Sequence, residues 1–288
     1  MNQIQVKVGS AITVLNGISA EYSSAIGIEI FNTIIINEAS KLIVNCYPEE
    51  ADDRLVYECI RLLEKDYSIH VSNIEIQTKG SLPPQRGLKT SSSISCGLIT
   101  ALSRYYNLNL NINQIVEYSA IASQNIEISV TGALDDAYAC LTGGLSYVDV
   151  NKVELIRLDH INLDHHVLLL IPNESNPKKY IKNKLTSIDT RLIRYANEEF
   201  NKSNYIEAIK LNTLAYGPHL LENFNIIEIL SNLNVKVVGL NGGGPSLFIL
   251  IENDRIVINE IKLFIKTNFP MYSLIDSKIR DLQEEWYK

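Results

Sequence analysis

The run Gly80–Ser93, GSLPPQRGLKTSSS, constrains this chain more than any other stretch, because no regular element would choose it. Two prolines and two glycines break helix and strand alike, and the closing Thr-Ser-Ser-Ser sets four hydroxyls in a row. Ahead of it, Val71 to Thr78 carries Val71, Ile74 and Ile76 in a strand-like pattern. Behind it, Ile94, Leu98, Ala101, Leu102 and Tyr105 fall on one helical face. The expectation is a strand, a loop and then the start of a helix. A helix N-terminus leaves N–H groups unpaired and carries about half a unit of positive charge, so it suits an anion. Glycines let the backbone approach a phosphate closely, Arg86 and Lys89 add positive charge, and the hydroxyls can reach phosphate oxygens or a metal. A capped helix after a tight turn uses the same residue types, so the run alone leaves both readings open. It is not a P-loop: the first glycine and the adjacent Gly-Lys are missing.

The rest of the chain reads as mixed helix and strand. Ile4–Val8, Ile12–Leu15, Gly27–Ile36 and Lys41–Cys46 are rich in Ile and Val and are expected as strands. Glu50–Asp66 turns helical through Leu55, Cys59, Leu62 and Leu63, and a further helix is expected over Asn113–Asn125. Val130–Gly144, VTGALDDAYACLTGG, is expected as a loop that carries two acids and closes on a Gly pair. Strands follow at Leu145–Val150 and His166–Ile171, then helices around Ile188–Phe200, Tyr205–Leu211 and Asn223–Leu230. Strands at Val235–Leu240 and Leu247–Ile251 flank the turn NGGGPS, and a helix over Asp254–Lys266 and a strand over Met271–Ile275 end the pattern. Runs of strands interrupted by groups of helices indicate an α+β fold, with a boundary between two domains at about residues 145–160.

Several function classes drop out. A net charge of −7 without a basic stripe argues against a nucleic-acid partner. The longest apolar stretches, such as Val167–Ile171, are strand-sized, so no membrane span is expected. The start, MNQIQVKVGS, lacks the layout of a signal peptide, and a cytoplasmic protein is the expectation. Cys46, Cys59, Cys96 and Cys140 are scattered without a Cys-x-x-Cys pair, which argues against a disulfide framework or a zinc site. His165 and His166 are adjacent and would point to opposite sides of a strand. Glu198-Glu199 and Glu284-Glu285 read as solvated helix faces.

Four segments carry a resemblance. Pro83, three residues and then Gly87-Leu88-Lys89-Thr90-Ser91-Ser92 resembles the phosphate loop of the GHMP kinases, and GLKTSSS is similar to the form found in archaeal-type shikimate kinases. AITVLNGI (Ala11–Ile18) with Ala25-Ile-Gly-Ile-Glu, and VTGALDDAYACLTGG, are similar to the first and central segments of the same kinases. NGGGPSLFIL resembles the third GHMP motif. The resemblance implies a two-domain α+β fold, residues 1–150 and 151–288, with the active site in the cleft between the halves. It implies ATP, Mg2+ and a small-molecule alcohol as ligands, the alcohol being shikimate, or alternatively homoserine or mevalonate. A sensor that kept the fold without turnover is the rival of another class, and a homodimer is left open.

The resemblance also assigns residues. ATP would be held by Pro83, Pro84, Gln85, Arg86, Gly87, Leu88, Lys89, Thr90, Ser91, Ser92 and Ser93, and by Gly242, Gly243 and Gly244. In the family the functional acid lies seven residues before a Gly-Gly pair, which favours Asp136 with Asp135 close behind it; a helix cap would use the same two acids. Thr90 or Ser91 would supply a hydroxyl to Mg2+. The family's glutamate position is Asn125 here, leaving nearby Glu127 as the candidate carboxylate. A second departure is Ala11, where many members carry a Lys that acts on the reacting hydroxyl, so Asp136, Mg2+ and the loop carry more of the work, or another cation substitutes. A carboxylate substrate calls for an Arg, for which Arg191 and Arg194 are candidates.

Overall fold

The computed structural model describes residues 3–47, 52–80, 82–173, 181, 185 and 188–283. Expectations that fall on Glu50, Ser81, Glu284 and Glu285 lie outside the described residues. Strands Ile4–Leu15 (β1) and Tyr22–Glu38 (β2) pair antiparallel, with a register shift between Gly9 and Ser10. Across that irregularity the packing partners change. Val6 and Val8 join one core and Ile12 and Val14 another, although all four share one parity. The sequence pattern therefore broke β1 into two strands where the chain forms one.

β2 is the spine of a six-stranded sheet completed by Ile43–Tyr47 (β3), Ile74–Lys79 (β4), Leu145–Asp149 (β5) and Glu154–Asp159 (β6), in the order β3-β4-β2-β5-β6 with β1 along β2. Helices Arg54–Tyr67 (α1), Thr90–Tyr105 (α2), Ile112–Asn125 (α3) and Leu134–Thr142 (α4) share a core with Ile34, Ile36, Ile74 and Ile76 of this sheet. The second sheet joins His165–Pro172 (β7), Val237–Leu240 (β8), Leu247–Glu252 (β9) and Tyr272–Lys278 (β10), all antiparallel, in the order β10-β7-β9-β8. Alternation along β7 serves two cores: Val167, Leu169 and Ile171 pack with Ile26 and Ile28 of β2, and Leu168 and Leu170 pack with helices. Those helices are Thr190–Asn201 (α5), Tyr205–Leu220 (α6), Asn225–Ser231 (α7) and Arg255–Asn268 (α8). No described helix is long and apolar enough to cross a membrane.

Three expectations need correction. Residues 134–142, expected in a loop, form α4; all nine of its residues are buried, so no polar face marks its helical period. Residues 154–159, given no element, form β6, a sheet edge whose residues are only partly covered. Helix α6, expected to stop at Leu211, continues to Leu220, with Gly217 and Pro218 in its last turn, where the proline interrupts only the end of the hydrogen-bond ladder. Beyond β10 the chain returns to the first sheet. Arg280 N–H donates to Gly27 O (2.9 Å), Gly144 N–H to Arg280 O (2.8 Å) and Gln283 N–H to Thr142 O (2.8 Å).

The core between the sheets draws on both ends of the chain, and Phe200 of α5 anchors it, fully buried and stacked on Tyr147 of β5 with centroids 4.6 Å apart. Phe200→Ala is expected to cost about 3–5 kcal/mol, as cavity-forming aromatic truncations do. Chemical denaturation reads this directly, and a loss below about 1 kcal/mol would show that this core does not join the halves.

Candidate active site

A cleft of about 620 Å³ opens where the loop before α2, the loop before α4, the end of β1 and the turn between β8 and β9 converge. Its walls include Pro84, Gln85, Gly87, Leu88, Lys89, Thr90 and Ser91 from the first loop, Glu127, Asp135 and Asp136 from the second, and Gly242 and Gly243 from the turn. Segments far apart in sequence therefore meet in one place. Pro83, Arg86, Ser92, Ser93 and Gly244 stand outside its lining.

The last group has structural employment. Arg86 donates to Pro84 O (2.9 Å), Pro172 O (3.0 Å) and Asn173 O (2.7 Å), so its guanidinium ties the loop to the end of β7 instead of waiting for phosphate. Ser93 donates to Val8 O at 3.1 Å and accepts from Asn32, and Ser92 is buried. Gly244 N–H donates to Asn241 O within the turn. Helix α2 begins at Thr90, ahead of the expected Ile94, which puts these serines into its first turn with Ser92 and Ser93 both buried.

Two helix starts face each other across the cleft, and both begin from a non-glycine residue in the left-handed region. Lys89 (φ 60°) precedes α2 and Ala133 (φ 54°) precedes α4, and neither helix has a side-chain cap. Such backbone costs on the order of 1–3 kcal/mol and persists only where its surroundings dictate it. The first bond of α2 is Ser93 N–H to Lys89 O, so the amides before it have no helical partner. Lys89 is 8% exposed, and its Nζ lies 2.7 Å from Asp136 Oδ1, an ion pair that joins the two helix starts. Ala11 is sealed in β1 and carries no charge; the ammonium beside Asp136 is that of Lys89. Asp135, beside it, is buried and bonded to Ser23. Burial, and after it the Asp136 charge, raises its carboxyl from the ordinary 3.8 to about 7, against the pull of Lys89.

The glycine turn packs against the loop. A Cβ on Gly87, whose φ is +79°, would lie 2.0 Å from Asn241 O, so only glycine fits. A Cβ on Gly242 would come within 3.2 Å of Lys89 Nζ, which places the turn directly against that ammonium. Asn241 is the hub: its Oδ1 accepts from Thr13 N–H (3.1 Å) and Thr13 Oγ1 (3.2 Å), while Thr13 Oγ1 accepts from Gly242 N–H at 2.8 Å. That amide is therefore committed to Thr13. Asn16 donates to Gly242 O (2.9 Å), and its own N–H donates to Asn212 Oδ1 (2.8 Å). The Tyr216 hydroxyl lies within 2.9 Å of Asn16 O and 2.6 Å of Ile18 O. Asn212 and Tyr216 escaped the sequence reading because they lie on the part of α6 beyond its expected end. The signal was a helical run through Leu214 and Tyr216, hidden by Gly217-Pro218.

The residues present fit a nucleotide phosphate with a hard cation. Thr90 Oγ1 is buried on the cleft wall without a hydrogen-bond partner, an orphan that a metal or phosphate oxygen would satisfy. Among the described residues no group of three or more His, Cys, Asp or Glu could cage a metal. Glu127 stands exposed on the rim with φ 60°, and Asn125 is turned away to Glu58 at 2.6 Å. Arg191 and Arg194 pair with Asp189 and Glu198 on α5 and do not line the cleft; among described residues its cationic walls are Lys89 and Arg54, the latter paired with Asp52.

Comparison with known proteins gives a consistent picture. Residues 54–144 match the family model described as GHMP kinases N terminal domain. The shikimate kinase of Pyrococcus furiosus is 30% identical over 256 residues, covering 85% of this chain and 90% of that protein. The shikimate kinase of Methanosarcina mazei is 25% identical, covering 85% of this chain and 84% of its own. Among solved structures, Methanococcus jannaschii mevalonate kinase superposes with a TM-score of 0.77 at 15% identity, over 97% of this chain and 99% of that one. Homoserine kinase from Cytophaga hutchinsonii gives 0.75 at 14%, over 97% and 96%. At such identity these two establish the fold.

The raised Asp135 carboxyl has a consequence for stability. Between pH 3.8 and about 7 the native protein holds a proton that the unfolded chain has released, so stability falls as pH rises through that window. Asp135→Asn is expected to raise the thermal midpoint at pH 8 and to lose this advantage below pH 3.8; an equal gain at both ends would contradict the buried-carboxyl account. Gly87→Ala is expected to weaken nucleotide binding at least about tenfold by driving the loop from Asn241, checked by calorimetric titration. Unchanged affinity would show that the loop and the turn are not coupled.

Proposed function

Since the chain belongs to the GHMP kinase family, among the archaeal-type shikimate kinases, we propose that it transfers the γ-phosphoryl group of ATP to a hydroxyl of shikimate, yielding shikimate 3-phosphate and ADP. The observation that carries this reading is the Lys89–Asp136 ion pair, set in one cleft at the uncapped start of α2. A binding module has no use for a buried acid and base of this kind beside an anion site. The reaction is soluble chemistry on small molecules, and its setting is the cytoplasm.

The steps follow from the geometry. Thr90 and Ser91, at the start of α2, present backbone N–H groups to the phosphate oxygens, where the helix dipole favours negative charge. Asp136 accepts the proton of the substrate hydroxyl as that oxygen bonds to the γ-phosphorus and the bond from phosphorus to the ADP oxygen breaks. Lys89 fixes the orientation of the Asp136 carboxylate and sets positive charge beside the attacking oxygen. Asp135, its carboxyl raised by burial, supports the pair and stands next in line as the acid. Mg2+, when bound, would neutralise charge on the transferring group; Thr90 Oγ1, the Ser91 hydroxyl and Glu127 are the groups that would hold it. Walls of Leu15, Ile18 and Ile181 limit water around the reacting atoms.

The test is Mg2+-dependent ADP release with shikimate, homoserine and mevalonate supplied separately. Release is expected with shikimate alone, lowered about 10²–10⁴-fold in Asp136→Asn. Lys89→Met is expected to lower kcat by about 10²–10³-fold. Turnover of another alcohol instead would discard shikimate, and ATP binding without any turnover would make the protein a sensor.

A further inference from the structure

The far end of α4 holds a feature that the reaction scheme does not use. Arg280, brought back by the chain after β10, is 6% exposed and donates through Nη2 to Ala139 O (3.0 Å) and Cys140 O (2.6 Å). These carbonyls lie in the last turn of α4, whose first turn carries Asp135 and Asp136. A seat is built for the guanidinium. It stands 5.7 Å over the Phe31 ring, and a Cβ on Gly9 would come within 2.8 Å of its Cζ, so the irregular step in β1 leaves the room it fills. The backbone around it is laced to both neighbours, through Gly27 O and Gly144 N–H. At Gly143 a Cβ would strike Asp281 O at 2.3 Å, so the returning chain lies directly on the end of the helix.

We propose that Arg280 is a positioning residue for phosphoryl transfer: it clamps the C-terminal turn of α4 so that the acids about one turn away are held at reacting distance. The inference rests on the reading of Asp136 as the catalytic acid. Ala139 O keeps its helical donor, Gly143 N–H (3.0 Å), but Gly144 N–H turns to Arg280 O, so in this buried helix end the Cys140 carbonyl receives the charge-assisted guanidinium donor in its place. The positive charge also stands at the negative end of the helix dipole, while the acids stand at the positive end. A nine-residue helix moves as a rod, so slippage at Cys140 is passed on to Asp136 and lengthens its contact with Lys89. Misplacement by about 1 Å is enough to slow an oriented reaction about 10²-fold. The phosphate loop makes no bond to Arg280 and its amides and hydroxyls are carried by α2, so with only the Lys89–Asp136 contact disturbed nucleotide binding should share little of the loss.

The experiment is steady-state kinetics on the full chain, normalised to folded, nucleotide-binding protein, for Arg280→Lys, Arg280→Gln and Phe31→Leu, with Asp136→Asn as control. Phe31 is 42% exposed, so its substitution leaves a folded protein even where Arg280→Gln does not. Expected are kcat losses of about tenfold for Lys and about 10²-fold for Gln, with a smaller loss for Phe31→Leu and the KM for ATP within about twofold throughout. Values of kcat within about twofold of the parent in Arg280→Lys and Phe31→Leu, with only the melting temperature lowered, would reduce Arg280 to a fold residue and overturn the proposal. A raised KM for ATP at unchanged kcat overturns it as well. Should Asp136→Asn keep its turnover, it is the assignment of the acid that fails, whatever the Arg280 variants do.

Discussion

A buried ammonium and a buried carboxylate, Lys89 and Asp136, bind two helix starts to each other, and most of the site is arranged to make that contact tolerable. Taking two charges out of water costs several kcal/mol apiece, and their attraction repays it only with good geometry and further polar company. Here the contact is 2.7 Å, the N-terminal dipole of α4 favours the acid, and the glycine turn closes over the ammonium without a side chain to block it. Both helices enter from left-handed, non-glycine residues. Ordinary caps would have filled the space that a substrate needs.

The pair in turn depends on the second half of the chain. Asn241 and Gly242 are held by Thr13 and Asn16 of the first sheet, and Asn16 is held by Asn212 and Tyr216 of α6. The cleft is thus a seam between the halves, stitched by buried amides and hydroxyls that satisfy one another. A buried network of this kind specifies one arrangement, since any slip strands polar groups away from water. The returning chain around Arg280 adds a second stitch on the other end of α4. The helix that carries the acids is therefore fixed at both ends by segments distant in sequence.

Much of this was legible beforehand. The loop before α2 announced itself through Pro, Gly and hydroxyl residues that no strand or helix would accept, and the acids through their distance from a Gly pair. Strands β2, β4, β7 and β9 followed from runs of Ile, Val and Leu. Other features left no local trace. Helix α4 is buried all round and so lacks the two-sided pattern that identifies a helix; β6 is a partly covered edge; α6 hides its last two turns behind Gly217-Pro218. Arg86 looked like phosphate-binding charge and proves to be a brace on three carbonyls, because a sequence shows that a cation is present but not what lies within its reach.

The sequence by itself determined the chemistry on offer: a phosphate-friendly helix start, a pair of acids, a glycine turn and the order in which they occur. Those properties are local, set by backbone freedom and side-chain type within a few residues. Only the tertiary structure decided that Lys89 lies beside Asp136, that Ser93 and Arg86 bond to backbone carbonyls, and that Arg280 closes the end of α4. Each of those outcomes is a contact between distant segments. Burial sets its strength, and burial is a property of the packed molecule.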